Sequence, residues 1–113
     1  MTDIYSGSGW LSKTQVGVCG DGDIYSGYGW GKRQIGCYRD GIVYSGYGWG
    51  KQQIGSYQNG EVYSGTGWGK KQVGSYSNGD IYKGYGWGKT TIGSYFGPED
   101  GAAAAALLLL LID

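Results

Sequence analysis

Tryptophan recurs at a nearly constant spacing and is the first side chain to consider as a binding group. Glycine flanks it on both sides in four of the five copies, as in "SGYGWGK". An indole between glycines could let a sugar or another flat ligand approach, and repeated sites would bind multivalently. The alternative is packing between repeats, which we favour because a glycine-rich chain has few other large residues to bury. The set is Trp10, Trp30, Trp49, Trp68 and Trp87.

Tyrosine and lysine accompany these tryptophans at fixed offsets. Tyrosine stands two positions before Trp in three copies, at Tyr28, Tyr47 and Tyr85. Ser8 and Thr66 take that place in the others, which favours an exposed position over a strict five-fold aromatic site. Lysine follows Trp in every copy, at Lys13, Lys32, Lys51, Lys70 and Lys89. These cations could form an anion-binding collar, but a solvated rim whose aliphatic stems cover aromatics is the simpler interpretation.

Other chemistry finds little support. The chain has no histidine, which removes the commonest general base and metal ligand. "GYGWGK" resembles a phosphate-binding loop but lacks the following Ser/Thr and a helix N-terminus. Carboxylates recur before the "IY/VY" pair, where we interpret them as solvated groups flanking turns; they are Asp3, Asp23, Glu61 and Asp80, with Ile42 in the remaining copy. We expect no enzyme, no catalytic residue, no metal and no cofactor.

A tandem repeat positions all of these residues. The Tyr of the "IY/VY" pair and the Trp each recur in steps of 20, 19, 19 and 19 residues, which is the signature of a repeat architecture. The junctions place Asn-Gly or Asp-Gly between β-prone runs, as in "SYQNGEVYSG", and such dipeptides tolerate the positive φ angles of a type I′ turn. With residues 59–60 as turn centre, Tyr57 pairs with Val62 and Ile54 with Gly65. The pattern predicts an all-β repeat.

The order of strands along the chain predicts closure into a ring. Each hairpin joins the second strand of one copy to the first strand of the next, which leaves single strands at residues 3–7 and 91–95. These two are complementary, and their pairing would remove the exposed sheet edges of an open array. An open β-solenoid is the alternative, but it needs polar end caps that the sequence lacks. We predict a closed, pseudo-five-fold ring.

The chain ends in "GAAAAALLLLLID", whose residues 102–112 are strong helix formers without a polar side chain. As an α-helix they would span about 16 Å, too short to cross the roughly 30 Å of a membrane. Burial of the six large residues would contribute on the order of 10–15 kcal/mol. A helix that is apolar all round is buried all round. We predict that it fills the axis of the ring, with a partner or lipid contact as the alternative.

The repeat and the tail together resemble a known family. The unit "IYSGxGWGKxxIGxYx(N/D)G" in five copies, followed by the alanine/leucine tail, is similar to the β-flower proteins, in particular to a five-fold β-flower. The resemblance covers nearly the whole chain. It implies an all-β, barrel-like closed ring of five β-hairpin units, with a short C-terminal α-helix buried along the central axis. Members are small bacterial domains without an established biochemical activity, so the resemblance implies no site.

Length, charge and cysteine use bound the function. We expect one domain, with repeats over residues 1–97 and a linker and tail over 98–113. Nine Lys/Arg balance nine Asp/Glu, which gives no reason for nucleic-acid binding. The start lacks a secretory signal, and Cys19 and Cys37 should face opposite sides, so we expect free thiols in a cytoplasmic monomer. The leading hypothesis is a non-enzymatic binding or scaffold module with a glycan or protein partner. The alternatives are a lectin-like carbohydrate binder and a peripheral membrane or pore-forming protein.

Overall fold

The computed structural model describes residues 1–8 and 13–111. Within them, ten antiparallel strands form a closed barrel in which each strand pairs with its neighbours in the chain and the first pairs with the last. The strands are β1 Thr2–Ser6, β2 Thr14–Gly20, β3 Asp23–Ser26, β4 Arg33–Arg39, β5 Ile42–Ser45, β6 Gln52–Gln58, β7 Glu61–Ser64, β8 Lys71–Ser77, β9 Asp80–Lys83 and β10 Thr90–Phe96. The molecule is a disc of 39 × 39 × 24 Å.

The predicted hairpins are confirmed. Asn59 and Gly60 have φ angles of 51° and 84°, the two positive values that a type I′ turn needs. The register beside them places Tyr57 opposite Val62, and the Gly65 N–H donates to the Ile54 carbonyl at 2.9 Å. The other junctions have the same geometry, with positive φ at Asp21, Asp40 and Asn78.

Closure of the ring by the two terminal strands is also confirmed. Strands β1 and β10 pair antiparallel, with Ile4 opposite Tyr95. The Gly7 N–H extends this pairing by donating to the Ile92 carbonyl at 2.8 Å. Because every strand then has two neighbours, the sheet has no open edge along which a second chain could add.

A β-bulge, which the sequence does not predict, recurs between the two strands that belong to the same repeat. Between β7 and β8 the register runs from Val62 opposite Gly74 to Tyr63 opposite Gln72, so Val73 is an extra residue. A bulge increases local twist and bends the strand, and both help a sheet to close. The extra residues are Val16, Ile35, Ile54, Val73 and Ile92. They are apolar and pack against the core.

The tail fills the barrel, as the sequence predicts. Helix α1, Asp100–Ala106, leaves each of its alanines at most 1% exposed. A layer of fully buried side chains surrounds it: Ile4, Ile24, Val43, Val62 and Ile81. Tyrosines of the "SY" positions pack against the same core, and the buried Cys19 replaces the tyrosine of the first copy. No helix in residues 1–8 and 13–111 is long and apolar enough to cross a membrane.

The predicted α-helix over residues 102–112 is wrong for the leucines. The α-helix begins at Asp100, and Leu107–Leu111 form a π-helix; Ile112 lies outside the described residues. Each leucine meets the glycine of one repeat, in reverse chain order: Leu107 with Gly93, Leu108 with Gly74, Leu109 with Gly55, Leu110 with Gly36 and Leu111 with Gly17. An α-helix turns by about 100° per residue, whereas five equal sectors require about 72°, which the wider π-helix approaches. The five-fold wall therefore explains the change of helix type.

A partly buried, hydrogen-bonded contact joins the first strand to the segment before the helix. Thr2 is fully buried, and its hydroxyl donates to the Glu99 carboxylate. The same oxygen accepts the Glu99 N–H at 2.9 Å, and the Glu99 carbonyl accepts the N–H of Ala103 at 3.0 Å. Ring closure and the start of the axial helix are thus fixed at one point.

The core tyrosines make the stability of the folded protein fall with rising pH in the alkaline range. Burial raises the pKa of Tyr57 to about 12, so the folded state keeps its phenol protonated where the unfolded chain ionises it. The resulting stabilisation is complete below the ordinary pKa of 10.0 and is lost as the pH rises towards 12. We expect Tm to fall over this interval, and to fall less in Tyr57→Phe, in melts followed by circular dichroism. Equal slopes for the two proteins would contradict this assignment.

Candidate ligand-binding surface

Four tryptophans lie on short loops that join the two strands of their unit across the bulged side. The loops contain 3₁₀ turns at Gly29–Gly31, Gly48–Gly50, Gly67–Gly69 and Gly86–Gly88. The exposed fractions of their side chains are 105% for Trp30, 106% for Trp49, 104% for Trp68 and 105% for Trp87. The prediction that tryptophan supplies core area is therefore wrong for these four, and Trp10 lies outside the described residues. The tail and the aliphatic layer already fill the interior.

The two glycines beside the tryptophan of each of these four loops have different structural requirements. Gly48, before Trp49, has a φ of +69°, a left-handed conformation that favours glycine. Gly50, after it, lies outside that region, and a Cβ added there would meet no atom within 4 Å. The backbone thus favours glycine before the indole but not after it. The second glycine leaves open space beside the indole.

Hydrogen bonds at the base of the loop hold its ends in place. In the fourth copy, the Gly69 N–H donates to the Thr66 carbonyl at 3.2 Å. At the start of the same loop, the Gly65 N–H donates to the carbonyl of Ile54, which is the bulge residue of β6. An indole on a loop with fixed ends loses less conformational freedom when it binds a ligand than one on a free chain would.

The lysines lie over the outward-facing tyrosines of the "IY/VY" pairs. The distance from Nζ to the ring centroid is 4.7 Å for Lys13 and Tyr5, 5.1 Å for Lys32 and Tyr25, 5.0 Å for Lys51 and Tyr44, 4.9 Å for Lys70 and Tyr63, and 4.5 Å for Lys89 and Tyr82. Such cation–π contacts contribute about 0.5–1 kcal/mol at exposed sites. This placement agrees with the rim interpretation and spreads the cations around the disc.

The tyrosines before the tryptophans are exposed, as predicted. Their exposed fractions are 56% for Tyr28, 57% for Tyr47 and 59% for Tyr85, and their backbone conformations are nearly identical. Tyr85 and Lys89 line one wall of a cleft of about 400 Å³. The opposite wall comes from the preceding repeat and includes Glu61, Gln72 and Ser75. The cleft therefore joins two repeats.

Sequence reasoning missed the part that carboxylates and glutamines play on this surface. Gln34 Nε2 donates to Asp23 Oδ1 at 2.9 Å, and Gln15 Nε2 donates to Asp3 Oδ1 at 3.2 Å. From the sequence alone, these carboxylates are interpreted only as solvated groups flanking turns. The available signal was the spacing of glutamine, which stands two positions after the repeated lysine in four copies.

The comparisons with known proteins provide no relative from which a ligand could be transferred. Neither a protein-family model nor a curated protein nor a solved structure matches this chain. What the surface can bind is therefore inferred from the chemistry of its own side chains.

Proposed function

We propose that the protein is a non-enzymatic, multivalent carbohydrate-binding module whose primary binding groups are the tryptophans of the Gly-Trp-Gly loops. The observation that carries the proposal is the full exposure of Trp30, Trp49, Trp68 and Trp87. Tryptophan usually buries much of its large apolar surface, so indoles presented on loops with fixed ends are available to be covered by a ligand.

The surroundings of the indoles favour a sugar over a protein partner. Protein interfaces usually have a contiguous apolar centre, whereas here glycines and polar side chains separate the aromatic residues. An aromatic face carries negative charge density and suits the polarised C–H face of a pyranose. The nearby carboxylates, amides and hydroxyls offer both hydrogen-bond donors and acceptors, which a polyhydroxylated ligand needs.

The repeat supplies the multivalency. Equivalent loops surround the disc at fixed positions, so a branched or repeating glycan could engage more than one of them, which raises the apparent affinity without any new contact. We further propose that the chain is a single-domain member of the β-flower family, supported by its hairpin units closed around an alanine/leucine helix. Burial of that helix disfavours the alternative in which the tail contacts lipid.

An oligosaccharide array, followed by calorimetry on the bound sugars, tests the proposal. We expect binding to neutral oligosaccharides and a loss of more than about tenfold in the variant Trp30→Ala/Trp49→Ala/Trp68→Ala/Trp87→Ala, since hot-spot aromatics typically contribute about 2 kcal/mol or more. Its Tm should stay close to that of the wild type, because the exposed indoles support no packing.

Liposome co-sedimentation is the companion measurement, because exposed Trp and Tyr also occur at membrane interfaces. Vesicles of phosphatidylcholine, with and without phosphatidylserine, serve as the probe. Tryptophan-dependent sedimentation without any sugar binding would contradict the proposal and assign the loops to a membrane surface. A quadruple variant that unfolds would show that the indoles are structural.

A further inference from the structure

We infer that each sugar is held in a cleft between two neighbouring repeats, that only three of the five clefts are complete, and that they select a neutral hexose. This inference rests on the proposed function, because the tyrosine of each complete cleft stands two residues before one of the exposed tryptophans. We call this site the inter-repeat cleft and define it by four residues: the acid before the "IY/VY" pair and the glutamine of one repeat, and the tyrosine and lysine of the next loop. In the cleft of about 400 Å³ these are Glu61, Gln72, Tyr85 and Lys89.

The same cleft recurs one repeat further along the ring. A second cleft, of about 150 Å³, is lined by Asp80, Thr91, Ser94, Ser8 and Lys13. In the repeat register these are the equivalents of Glu61, Gln72, Ser75, Tyr85 and Lys89, respectively. The larger cleft, of about 400 Å³, falls in the size range of small-molecule sites. The smaller one has serine where the larger one has a tyrosine wall.

Strand pairing places the remaining clefts in the same arrangement. Asp23 lies opposite Cys37 as Glu61 lies opposite Ser75. Burial raises the pKa of the Cys37 thiol, Lys51 lowers it and Asp23 raises it further. Both charges that act on the thiol, Asp23 of the same repeat and Lys51 of the next loop, belong to the set that defines the cleft.

The distribution of substitutions among the repeats supports a shared site. Three clefts have the complete set of acid, glutamine and tyrosine: Asp3, Gln15 and Tyr28; Asp23, Gln34 and Tyr47; and Glu61, Gln72 and Tyr85. The other two have Ile42, Gln53 and Thr66, and Asp80, Thr91 and Ser8. Ile42 and Thr66 belong to different copies of the repeat along the chain but take the acid and tyrosine positions of one cleft. Thr91 and Ser8 likewise line one cleft together. All four departures therefore fall in two clefts and leave three intact.

The chemistry of a complete cleft matches a neutral hexose. The carboxylate only accepts hydrogen bonds, so it can receive two adjacent sugar hydroxyls. The glutamine carbonyl oxygen is a further acceptor, since Gln34 Nε2 already donates to Asp23 and to the Gly36 carbonyl. Gln34 holds the Asp23 carboxylate through a 2.9 Å hydrogen bond, which orients the acceptor. Tyr47 supplies the aromatic wall. The lysine ammonium, which lies over a tyrosine ring, balances the charge of the carboxylate, so the cleft has no net charge that would favour an anionic sugar.

Native mass spectrometry and calorimetry on the full chain test this inference, with cellotetraose, maltotetraose and β-1,4-galactotetraose as neutral probes and sialyllactose as the anionic control. We expect three bound tetrasaccharides per chain and no binding of sialyllactose. Gln72→Ala should reduce the stoichiometry from three to two. Gln53→Ala, the matched change in an incomplete cleft, should leave it at three.

A gain of function provides the sharpest outcome. The double variant Ile42→Asp/Thr66→Tyr supplies the acid and the tyrosine that the cleft with Gln53 lacks. It should raise the number of bound tetrasaccharides per chain from three to four. Four equivalent sites in the wild type, one for each Gly-Trp-Gly loop and unaffected by Gln72→Ala, would overturn the inference and leave the tryptophan proposal intact. A failure to bind any neutral tetrasaccharide would overturn the proposed function, and the inference with it. Circular dichroism of each variant separates loss of a site from loss of fold.

Discussion

Deletion of residues 102–113 should abolish the cooperative thermal transition of the protein. The deletion removes the alanines that are at most 1% exposed at the barrel axis and the fully buried Leu107. The lost burial amounts to on the order of 10 kcal/mol, which is comparable with the whole stability of a small domain. A barrel without its axial helix would expose its aliphatic layer to water along an apolar channel too costly to leave open.

Circular dichroism, a thermal melt and liposome co-sedimentation of the truncated and full-length chains test this prediction. A graded variant with alanine in place of Leu107–Leu111 keeps the helix formers and removes only the leucine layer, so it should melt cooperatively at a lower temperature than the wild type. A truncated chain that still melts cooperatively, together with tail-dependent sedimentation of the intact chain, would show that the tail is an anchor and not the core.

Gly55→Ala should destabilise the barrel by about 3 kcal/mol, near the upper end of typical overpacking costs. A Cβ at this position would lie 2.7 Å from Leu109 Cδ1, and closer still to the backbone carbonyl oxygen of Tyr63. The leucine can change rotamer, but the carbonyl belongs to the strand pairing of the barrel and cannot move without disturbing it. Chemical denaturation monitored by circular dichroism measures the change in the free energy of unfolding.

Gly50→Ala is the matched control, because it makes the same chemical change in the same repeat. A Cβ there meets nothing within 4 Å, and its φ lies outside the left-handed region. We expect it to be neutral or stabilising by about 0.4–1 kcal/mol, since alanine restricts the unfolded chain. Equal losses in the two variants would argue against the specific packing of leucine on glycine. A loss of sugar binding in Gly50→Ala at full stability would support the open space beside Trp49 as a route for the ligand.

Much of the fold could be predicted from the sequence because its signals are local, or depend only on the number of strands and of apolar residues. The Asn-Gly and Asp-Gly dipeptides specify type I′ turns through their own φ preferences. The complementary terminal strands predict closure because an open sheet edge is unfavourable. The apolar tail predicts its own burial through the number of its apolar residues. None of these inferences required knowledge of which residues meet across the barrel.

The candidate site could be predicted only in part. The exposure of Tyr28, Tyr47 and Tyr85 followed from the variability of that position among the repeats. The exposure of the tryptophans did not follow, because large aromatic residues are usually buried and the sequence does not reveal that the interior is already full. The inter-repeat cleft was missed because its members, such as Glu61 and Tyr85, belong to different repeats.

By itself, the sequence determined the repeat, its turns, the closure of the ring and the place of the tail, since each depends on local backbone preference or on total apolar surface. Only the tertiary structure decided the bulge at Val73, the π-helix of Leu107–Leu111 and the side chains that meet in each cleft. The physical reason is the five-fold wall, which gives each leucine one glycine to meet and holds the loop of one repeat against the strands of the one before.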